Sequence, residues 1–181
     1  GLYVVLETED GVILMDPHAA HERIQFERFM NEVVQNKVKS QGLIAPETIE
    51  LLPEDALCVR KNMELLRAMG FGISEFGGDA FIVDAMPVVL GNVRPGAVLG
   101  DVARGIEAGG PRGGTERWAE RRVAMAACKA SVKANDRLSV QEIERLVLDL
   151  SRAEMPYTCP HGRPTMIFMS YAELERKFGR E

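Results

Sequence analysis

Two short apolar runs, Gly1–Glu7 and Val12–Met15, open the chain, and the pair Asp10-Gly11 lies between them. An Asp-Gly pair between two such runs predicts a tight turn and a β-hairpin. Asp16 is then a good N-cap for a helix, and Pro17 suits its first position because the N–H that proline lacks would be unpaired there anyway. The start of the chain therefore predicts a hairpin followed by a helix.

The rest of the chain mixes helical and strand patterns. Helical patterns cover 17–35, 53–69, 97–108 and 115–135, and strand patterns cover 41–52, 71–76, 81–85 and 165–169. Capping boxes at Ser139-Val-Gln-Glu142 and Ser170-Tyr-Ala-Glu173 begin two more helices. The breaker run Gly-Gly-Pro-Arg-Gly-Gly at 109–114 predicts a junction. We predict a mixed α+β fold in which residues 1–45 and 115–181 form one subdomain and 46–114 a smaller inserted one.

Charge and cysteine content limit the possible functions. A net charge of −5 argues against a free-standing DNA-binding protein, since binding to phosphates usually requires a basic excess. A local basic face of Arg122, Lys129 and Lys133 on the 115–135 helix could contact phosphates, but a solvated helix face explains it equally well. Three widely spaced cysteines indicate a reducing, cytoplasmic setting. No apolar stretch approaches the ~20 residues of a membrane span, and the strand-like opening suggests a piece of a longer protein.

Side chains of metal-binding type form two pairs. His18 and Glu22 are four residues apart, so on a helix they share a face and can bind one divalent ion, although such a pair alone is far more often solvated surface. Cys159 and His161, two apart, can point the same way in an extended segment; the alternative is a tight turn with a buried cysteine. Together the four make a ligand set typical of zinc. Asp16 adds a hard oxygen ligand better suited to manganese or magnesium.

Four segments resemble, in order, the motifs of the MutL family of DNA mismatch-repair proteins. They are Asp16-Pro-His18-Ala with Glu22 and Glu27, Ala127-Cys128-Lys129, Cys159-Pro-His161-Gly-Arg163-Pro164, and Phe178-Gly-Arg180. The resemblance covers nearly the whole chain and points to the C-terminal endonuclease and dimerisation domain. Two positions depart from the family pattern: Pro17 replaces the usual Gln, and Lys129 replaces an Arg, which keeps the charge but loses the bidentate fork.

The resemblance implies a metal-dependent endonuclease that nicks one strand of duplex DNA. The metal residues it implies are Asp16, His18, Glu22, Cys128, Cys159 and His161, the first three being catalytic. Glu27, Lys129, Arg163, Phe178 and Arg180 would support them, although Glu27 lies about 140° around the helix from Glu22. The expected ions are structural or regulatory Zn²⁺ and catalytic Mn²⁺ or Mg²⁺.

The family's partners follow from the same resemblance. It implies a homodimer, contact with the mismatch-recognition protein MutS, and an N-terminal ATPase region. ATP would act only through that region. In this interpretation residues 1–45 and 115–181 are the dimerisation and catalytic subdomain, and 46–114 are regulatory. We expect a bacterial cytoplasmic protein associated with the nucleoid, and no membrane partner.

A further segment, Gln41-Gly-Leu43-Ile44-Ala45-Pro46, resembles the short motif with which the family binds the bacterial sliding clamp. In an extended peptide Leu43 and Ile44 can fill an apolar groove while Gln41 fixes the register. The alternative is an ordinary edge strand ended by Pro46.

Two other functions remain open on the sequence. One is a non-catalytic, zinc-stabilised platform for dimerisation and clamp docking. The other is a free-standing metallohydrolase acting on small substrates, which leaves the clamp-like segment unexplained. Outside the motifs we predict Cys58 and Met86–Leu90 in the core, His21 on the surface, and Trp118 in packing or a dimer contact.

Overall fold

The computed structural model describes residues 3–107, 117–131 and 138–180. In chain order the elements are β1 (Val4–Glu7), β2 (Gly11–Met15), α1 (Pro17–Val34), β3 (Ser40–Glu50), α2 (Pro53–Lys61), α3 (Met63–Ala68), β4 (Gly72–Gly77), β5 (Ala80–Pro87), a 3-10 turn (Val88–Leu90), α4 (Pro95–Glu107), α5 (Trp118–Ser131), α6 (Val140–Ser151), β6 (Met166–Ser170) and α7 (Tyr171–Lys177). The strands form two antiparallel sheets, which confirms the predicted mixed α+β fold.

The chain divides into two compact units. The discontinuous unit combines Gly1–Ile24 with Val132–Glu181, and the inserted unit is Gln25–Ser131. The sequence prediction limited the inserted part to residues 46–114. In the structure, residues 25–45 and 115–131 also belong to the inserted unit. The reason is that both segments contribute side chains to the large core of the inserted unit. The dimerisation and regulatory roles assigned to the two parts stay predictions.

The sheet of the discontinuous unit has the strand order β1-β2-β6. Val5 pairs with Leu14, and Leu14 pairs with Ile167 on its other side. The first residue of β2 is a glycine, Gly11, because strand β6 passes close to it. A Cβ added at Gly11 would lie 2.2 Å from the carbonyl oxygen of Met169. A small core completes the unit, and its buried members are Met15, Ala20, Leu146 and Leu150.

The predicted helix starts are confirmed. The Oδ1 atom of Asp16 accepts a hydrogen bond from the backbone N–H of Ala19 at 3.1 Å, so Asp16 caps α1 and Pro17 is its first residue. Ser139 and Ser170 form capping boxes at the starts of α6 and α7. These caps use N–H groups that the first helical turn would otherwise leave unpaired.

The inserted unit has the strand order β3-β5-β4 and contains the larger core. The strands predicted over 71–76 and 81–85 are confirmed as β4 and β5, which pair antiparallel. Phe29, Phe71 and Phe81 are the largest of its buried side chains. Helices α4 and α5 pack closely at Gly105, which has no side chain. A Cβ added there would lie only 2.9 Å from the Cβ of Ala126.

The single helix predicted over 53–69 is wrong, since the structure has two helices that meet at Asn62. Asn62 leaves the helical conformation and its Nδ2 atom donates to the carbonyl oxygen of Cys58 at 2.8 Å. An asparagine side chain can replace a helical hydrogen bond in this way, and the helical periodicity carries no sign of it. Gly70 follows the end of α3 with a φ of 88°, and Phe71 N–H donates to the carbonyl of Leu66, as is common after a helix C-terminus.

Burial agrees with most predictions made outside the motifs. Cys58 is buried and His21 is exposed, as predicted. Within the predicted core run 86–90, Met86 and Leu90 are buried, but Val88 is 46% exposed in the 3-10 turn. The breaker run at 109–114 lies outside the described residues. No helix of the described ranges is both long and apolar enough to cross a membrane.

Candidate metal centre

Helix α1 places His18 and Glu22 together, as their spacing predicted. The Nε2 atom of His18 lies 3.2 Å from Oε1 of Glu22. The Glu22 side chain has no exposed surface, whereas that of His18 is 26% exposed. The pair is therefore a buried carboxylate below a partly exposed imidazole, and not the solvated surface pair that such a spacing usually indicates.

The segment from Cys159 to Arg163 is a tight turn. Gly162 N–H donates to the carbonyl of Cys159 at 2.9 Å, and Cys159 N–H donates to the carbonyl of Arg163 at 2.7 Å. Gly162 has a φ of 84°, a conformation that a residue with a Cβ adopts only with strain. The buried Sγ of Cys159 accepts a hydrogen bond from Arg163 N–H at 3.4 Å. The segment is therefore the tight turn with a buried cysteine and not the expected extended segment, although this turn still allows Cys159 and His161 to lie close together.

This turn brings Arg163 and His161 to the Glu22 carboxylate. Arg163 donates from Nη2 to Oε2 of Glu22 at 2.8 Å, and Nδ1 of His161 lies 3.3 Å from the same oxygen. Burial by itself raises the pKa of Glu22, but the hydrogen bonds from His161 and Arg163 outweigh it and lower the pKa to about 2. Glu22 is therefore charged at neutral pH although it is buried.

The chemistry of this cluster fits a divalent cation. Ligand atoms of Glu22, Cys159 and His161 lie within 4.8 Å of one another, which no other group of three such residues achieves within 3–107, 117–131 and 138–180. Oε1 of Glu22 and Nδ1 of His18 are buried without a hydrogen-bond partner among the described residues. His18 is close enough to Oε1 for an ion pair but does not form a hydrogen bond with it, so a lone pair of Oε1 stays unused. A thiolate, an imidazole and a carboxylate at this spacing suit zinc.

Three other predicted ligands or helpers lie outside this group of three. Asp16 is half-buried, and its Oδ1 atom is engaged by the N-cap of α1. Cys128 belongs to the inserted unit, where it is fully buried in the core. Glu27 is half-buried in the same unit. Their metal-binding and supporting roles stay predictions.

The remaining predicted site residues are scattered. Arg122 donates to the carbonyl of Gly105 at 2.8 Å and lies over the Trp118 ring, while Lys129 is exposed. Lys133 lies outside the described residues. Phe178 is 77% exposed just after α7, and Arg180 is also exposed.

The clamp-like segment lies on β3 at an irregularity. Pairing with β5 is interrupted between Gly42 and Glu47, so the apolar pair of the motif is outside the regular ladder. Ile44 is completely exposed, whereas Leu43 is partly buried against the core. Gln41 is paired with Met86 just before the interruption.

Sequence reasoning missed Arg23. Its side chain is buried, and Nε donates to the carbonyl of Thr158 at 2.6 Å, directly before Cys159. Arg23 therefore links the helix that carries Glu22 to the segment directly before the turn of Cys159 and His161. The sequence does contain a sign of this role. Arg23 is four residues after Ala19 and three residues before Phe26, so it lies on a helix face that is otherwise apolar.

Comparison with known proteins agrees with these features. Residues 1–138 match the family described as the MutL C terminal dimerisation domain, and the chain therefore belongs to this family. Relatives named DNA mismatch repair protein MutL are 39% identical over 178 residues in Clostridium tetani, 36% in Clostridium perfringens and 37% in Thermoanaerobacter pseudethanolicus. Each alignment covers 98% of this chain but 28%, 26% and 28% of the respective relative, so the chain spans about a quarter of their length.

Proposed function

We propose that this chain is the dimerisation and metal-dependent endonuclease module of a mismatch-repair protein, and that it nicks one strand of duplex DNA. The supporting observation is the cluster formed by the buried Glu22 and Cys159 with the exposed His161, with His18 beside it, in a chain whose family takes part in mismatch repair. Contact with MutS, and control by an ATP-binding region of a longer protein, belong to the same proposal.

The residues divide into two ligand groups. His18, Glu22, Cys159 and His161 would hold a zinc ion, and Asp16 would help to hold an exchangeable manganese or magnesium ion. When bound, such ions neutralise charge on the phosphoryl oxygens and lower the pKa of a bound water. Glu22 lies at the buried base of the cluster, while His18 and His161 are 26% and 28% exposed. A phosphodiester would thus approach from the side of the imidazoles.

The nicking activity is tested with supercoiled plasmid, manganese and a loaded sliding clamp. We expect the 181-residue chain to produce relaxed circles, and Asp16→Asn and Glu22→Gln to abolish them. Glu144→Gln, a matched removal of an exposed carboxylate in the same unit, should nick like the unaltered chain. Equal nicking by all four proteins would show that the assigned ligands are wrong.

Clamp docking rests on the exposure of Ile44 in the interrupted part of β3. An unpaired extended segment with a free apolar side chain can insert into a groove of a partner. We expect Gln41→Ala and Ile44→Asp to weaken clamp binding in a surface-immobilised assay by at least about tenfold, since a buried anchor contributes more than 1.4 kcal/mol. Leu52→Asp, at another exposed apolar residue of the same unit, should bind normally. Unaltered binding by Ile44→Asp would refute the docking role.

A second copy of the chain is the proposed occupant of one sheet face in the discontinuous unit. Tyr3, Val5 and Ile167 lie on this face and are 65%, 65% and 56% exposed, with Leu14 between the last two. An apolar sheet face of this kind needs cover, and the family is one of dimerisation domains. Val5→Asp and Ile167→Asp should convert a dimer to a monomer in sedimentation velocity, whereas Phe76→Asp in the inserted unit should not. A dimer that survives both changes would place the interface elsewhere.

The alternative function is a non-catalytic, zinc-stabilised platform for dimerisation and clamp docking. One observation favours it: Asp16, the proposed ligand of the exchangeable ion, serves as a helix cap and lies outside the group of three. Tight zinc binding, a stable dimer and clamp binding, without any manganese-dependent nicking, would identify the platform.

A further inference from the structure

We propose that the Arg163 side chain weakens the hold of this centre on a divalent cation, so that the ion exchanges instead of being permanently bound. This inference rests on the proposed function, because it concerns the same ligands. It assigns Arg163 a specific role in place of the general supporting role that the family resemblance implies.

Arg163 contacts the ligands directly. Its Nη2 atom lies 2.8 Å from Oε2 of Glu22, and the Glu22 side chain is fully buried while that of Arg163 is 51% exposed. Hydrogen bonding to Cys159, and then to Glu22, raises the pKa of the Arg163 guanidinium. The guanidinium therefore contacts the carboxylate of the cluster and keeps its positive charge throughout the physiological range.

The turn does not depend on this side chain. Its backbone hydrogen bonds join Cys159 to Arg163 and to Gly162, and Arg23 holds the carbonyl of Thr158. All of these bonds use atoms other than the Arg163 guanidinium. Removing the guanidinium should therefore leave the ligand-bearing turn in place, which argues against loop anchoring as its main role.

The charges of the cluster indicate the sign of the effect. Metal binding requires a Cys159 thiolate, a Glu22 carboxylate and neutral histidines. The two negative charges balance one divalent cation, so the Arg163 guanidinium leaves the loaded centre with an excess positive charge. Because the cluster is largely buried, solvent screens this repulsion only in part.

The two oxygens of the Glu22 carboxylate have different surroundings. Oε2 is taken by Arg163 and His161, while Oε1 has no hydrogen-bond partner among the described residues. Arg163 thus leaves one oxygen for a cation and draws electron density from it. Without Arg163 both oxygens would be open to the ion, which again strengthens binding.

The test measures zinc affinity by competition with a chromogenic chelator, and zinc release by mixing with excess EDTA. We expect Arg163→Met to lower the zinc Kd by more than about tenfold and to slow release to a similar degree, because it removes a charge that repels the bound ion; a tenfold change corresponds to about 1.4 kcal/mol. Arg163→Lys keeps the charge and should stay within about threefold of the unaltered chain. Arg163→Gln provides a second neutral variant, and thermal melting of the metal-free proteins checks that all are folded.

A matched control separates this effect from a general change in net charge. Arg152→Met removes an exposed arginine of the same unit and should leave zinc binding unchanged. Unchanged or weaker zinc binding by both neutral Arg163 variants would overturn the inference, as would equal tightening by Arg152→Met. Glu22→Gln distinguishes the proposed function: if zinc still binds it normally, the centre itself is wrongly assigned, whatever the Arg163 variants do.

Discussion

The buried charge of Glu22 predicts a specific loss of stability in acid. Its pKa is about 2 in the folded chain against 4.5 without the fold. A carboxylate with a lowered pKa stabilises the fold fully above its unfolded pKa, and this contribution is lost as pH falls through 4.5 towards 2. The 2.5-unit difference corresponds to about 3 kcal/mol at pH 7, of which about 1.5 kcal/mol is gone at pH 3.5. Glu22→Gln removes the titration and should flatten this part of the profile.

The measurement is urea unfolding at several pH values from 7 to 3.5, with a chelator present so that metal ions do not contribute. The sequence has three tyrosines, Tyr3, Tyr157 and Tyr171, all in the discontinuous unit, and its single tryptophan, Trp118, is in the inserted unit. Circular dichroism of tyrosine and fluorescence of tryptophan therefore follow the two units separately. The difference between the unaltered chain and Glu22→Gln should appear in the tyrosine signal.

The comparison of slopes decides the outcome. Between pH 5 and pH 3.5 the free energy of unfolding should fall more steeply in the unaltered chain than in Glu22→Gln. Glu144→Gln, which removes an exposed carboxylate from the same unit, should follow the unaltered chain. Parallel profiles for the unaltered chain and Glu22→Gln would refute the argument that His161 and Arg163 hold a buried charge.

Three further predictions concern single contacts. Gly162→Ala should destabilise the turn by about 1–2 kcal/mol because of its φ of 84°, and should raise the zinc Kd in chelator competition; unchanged affinity would contradict this. Arg23→Gln should lower the free energy of unfolding by about 1.5–3 kcal/mol in the tyrosine signal, since it removes a charged hydrogen bond to Thr158, and Arg23→Lys should recover part of it. Phe29→Ala should cost about 3–5 kcal/mol through a cavity in the inserted unit, seen by Trp118 fluorescence; a loss below 1 kcal/mol would contradict the packing.

Local signals in the sequence predicted much of the fold. The hairpin of β1 and β2, the Asp16 cap and both capping boxes depend on neighbouring residues alone, and each is present in the structure. Gly11, predicted in the turn of that hairpin, is instead the first residue of β2. The helix break at Asn62 was not predictable, because a side chain replaces a backbone bond there without changing the apolar periodicity. The unit boundaries were missed for a related reason: the breaker run suggested a junction, whereas the division depends on which distant segments share a core.

The grouping of the candidate residues was partly predictable, but their charge balance was not. The four-residue spacing predicted that His18 lies beside Glu22, whereas Cys159 and His161 come together in a tight turn and not in the expected extended segment. Nothing local indicates that Arg163 would donate to Glu22, because the two positions are 141 residues apart. The same holds for the contact of Arg23 with Thr158, 135 positions away. Long-range polar contacts depend on the tertiary fold, which residue patterns do not specify.

The discontinuous unit has a consequence for the order of events during synthesis. Glu22 leaves the ribosome 139 residues before His161, an interval of about 7 to 28 seconds at 5–20 residues per second. The inserted unit ends at Ser131 and can fold within that interval. Until the turn from Cys159 to Arg163 emerges, Glu22 lacks both His161 and Arg163 and stays hydrated at the start of an incompletely packed helix. Assembly of the centre is therefore among the last steps of folding, so that a chain interrupted between Ser131 and Cys159 contains the whole inserted unit but no site.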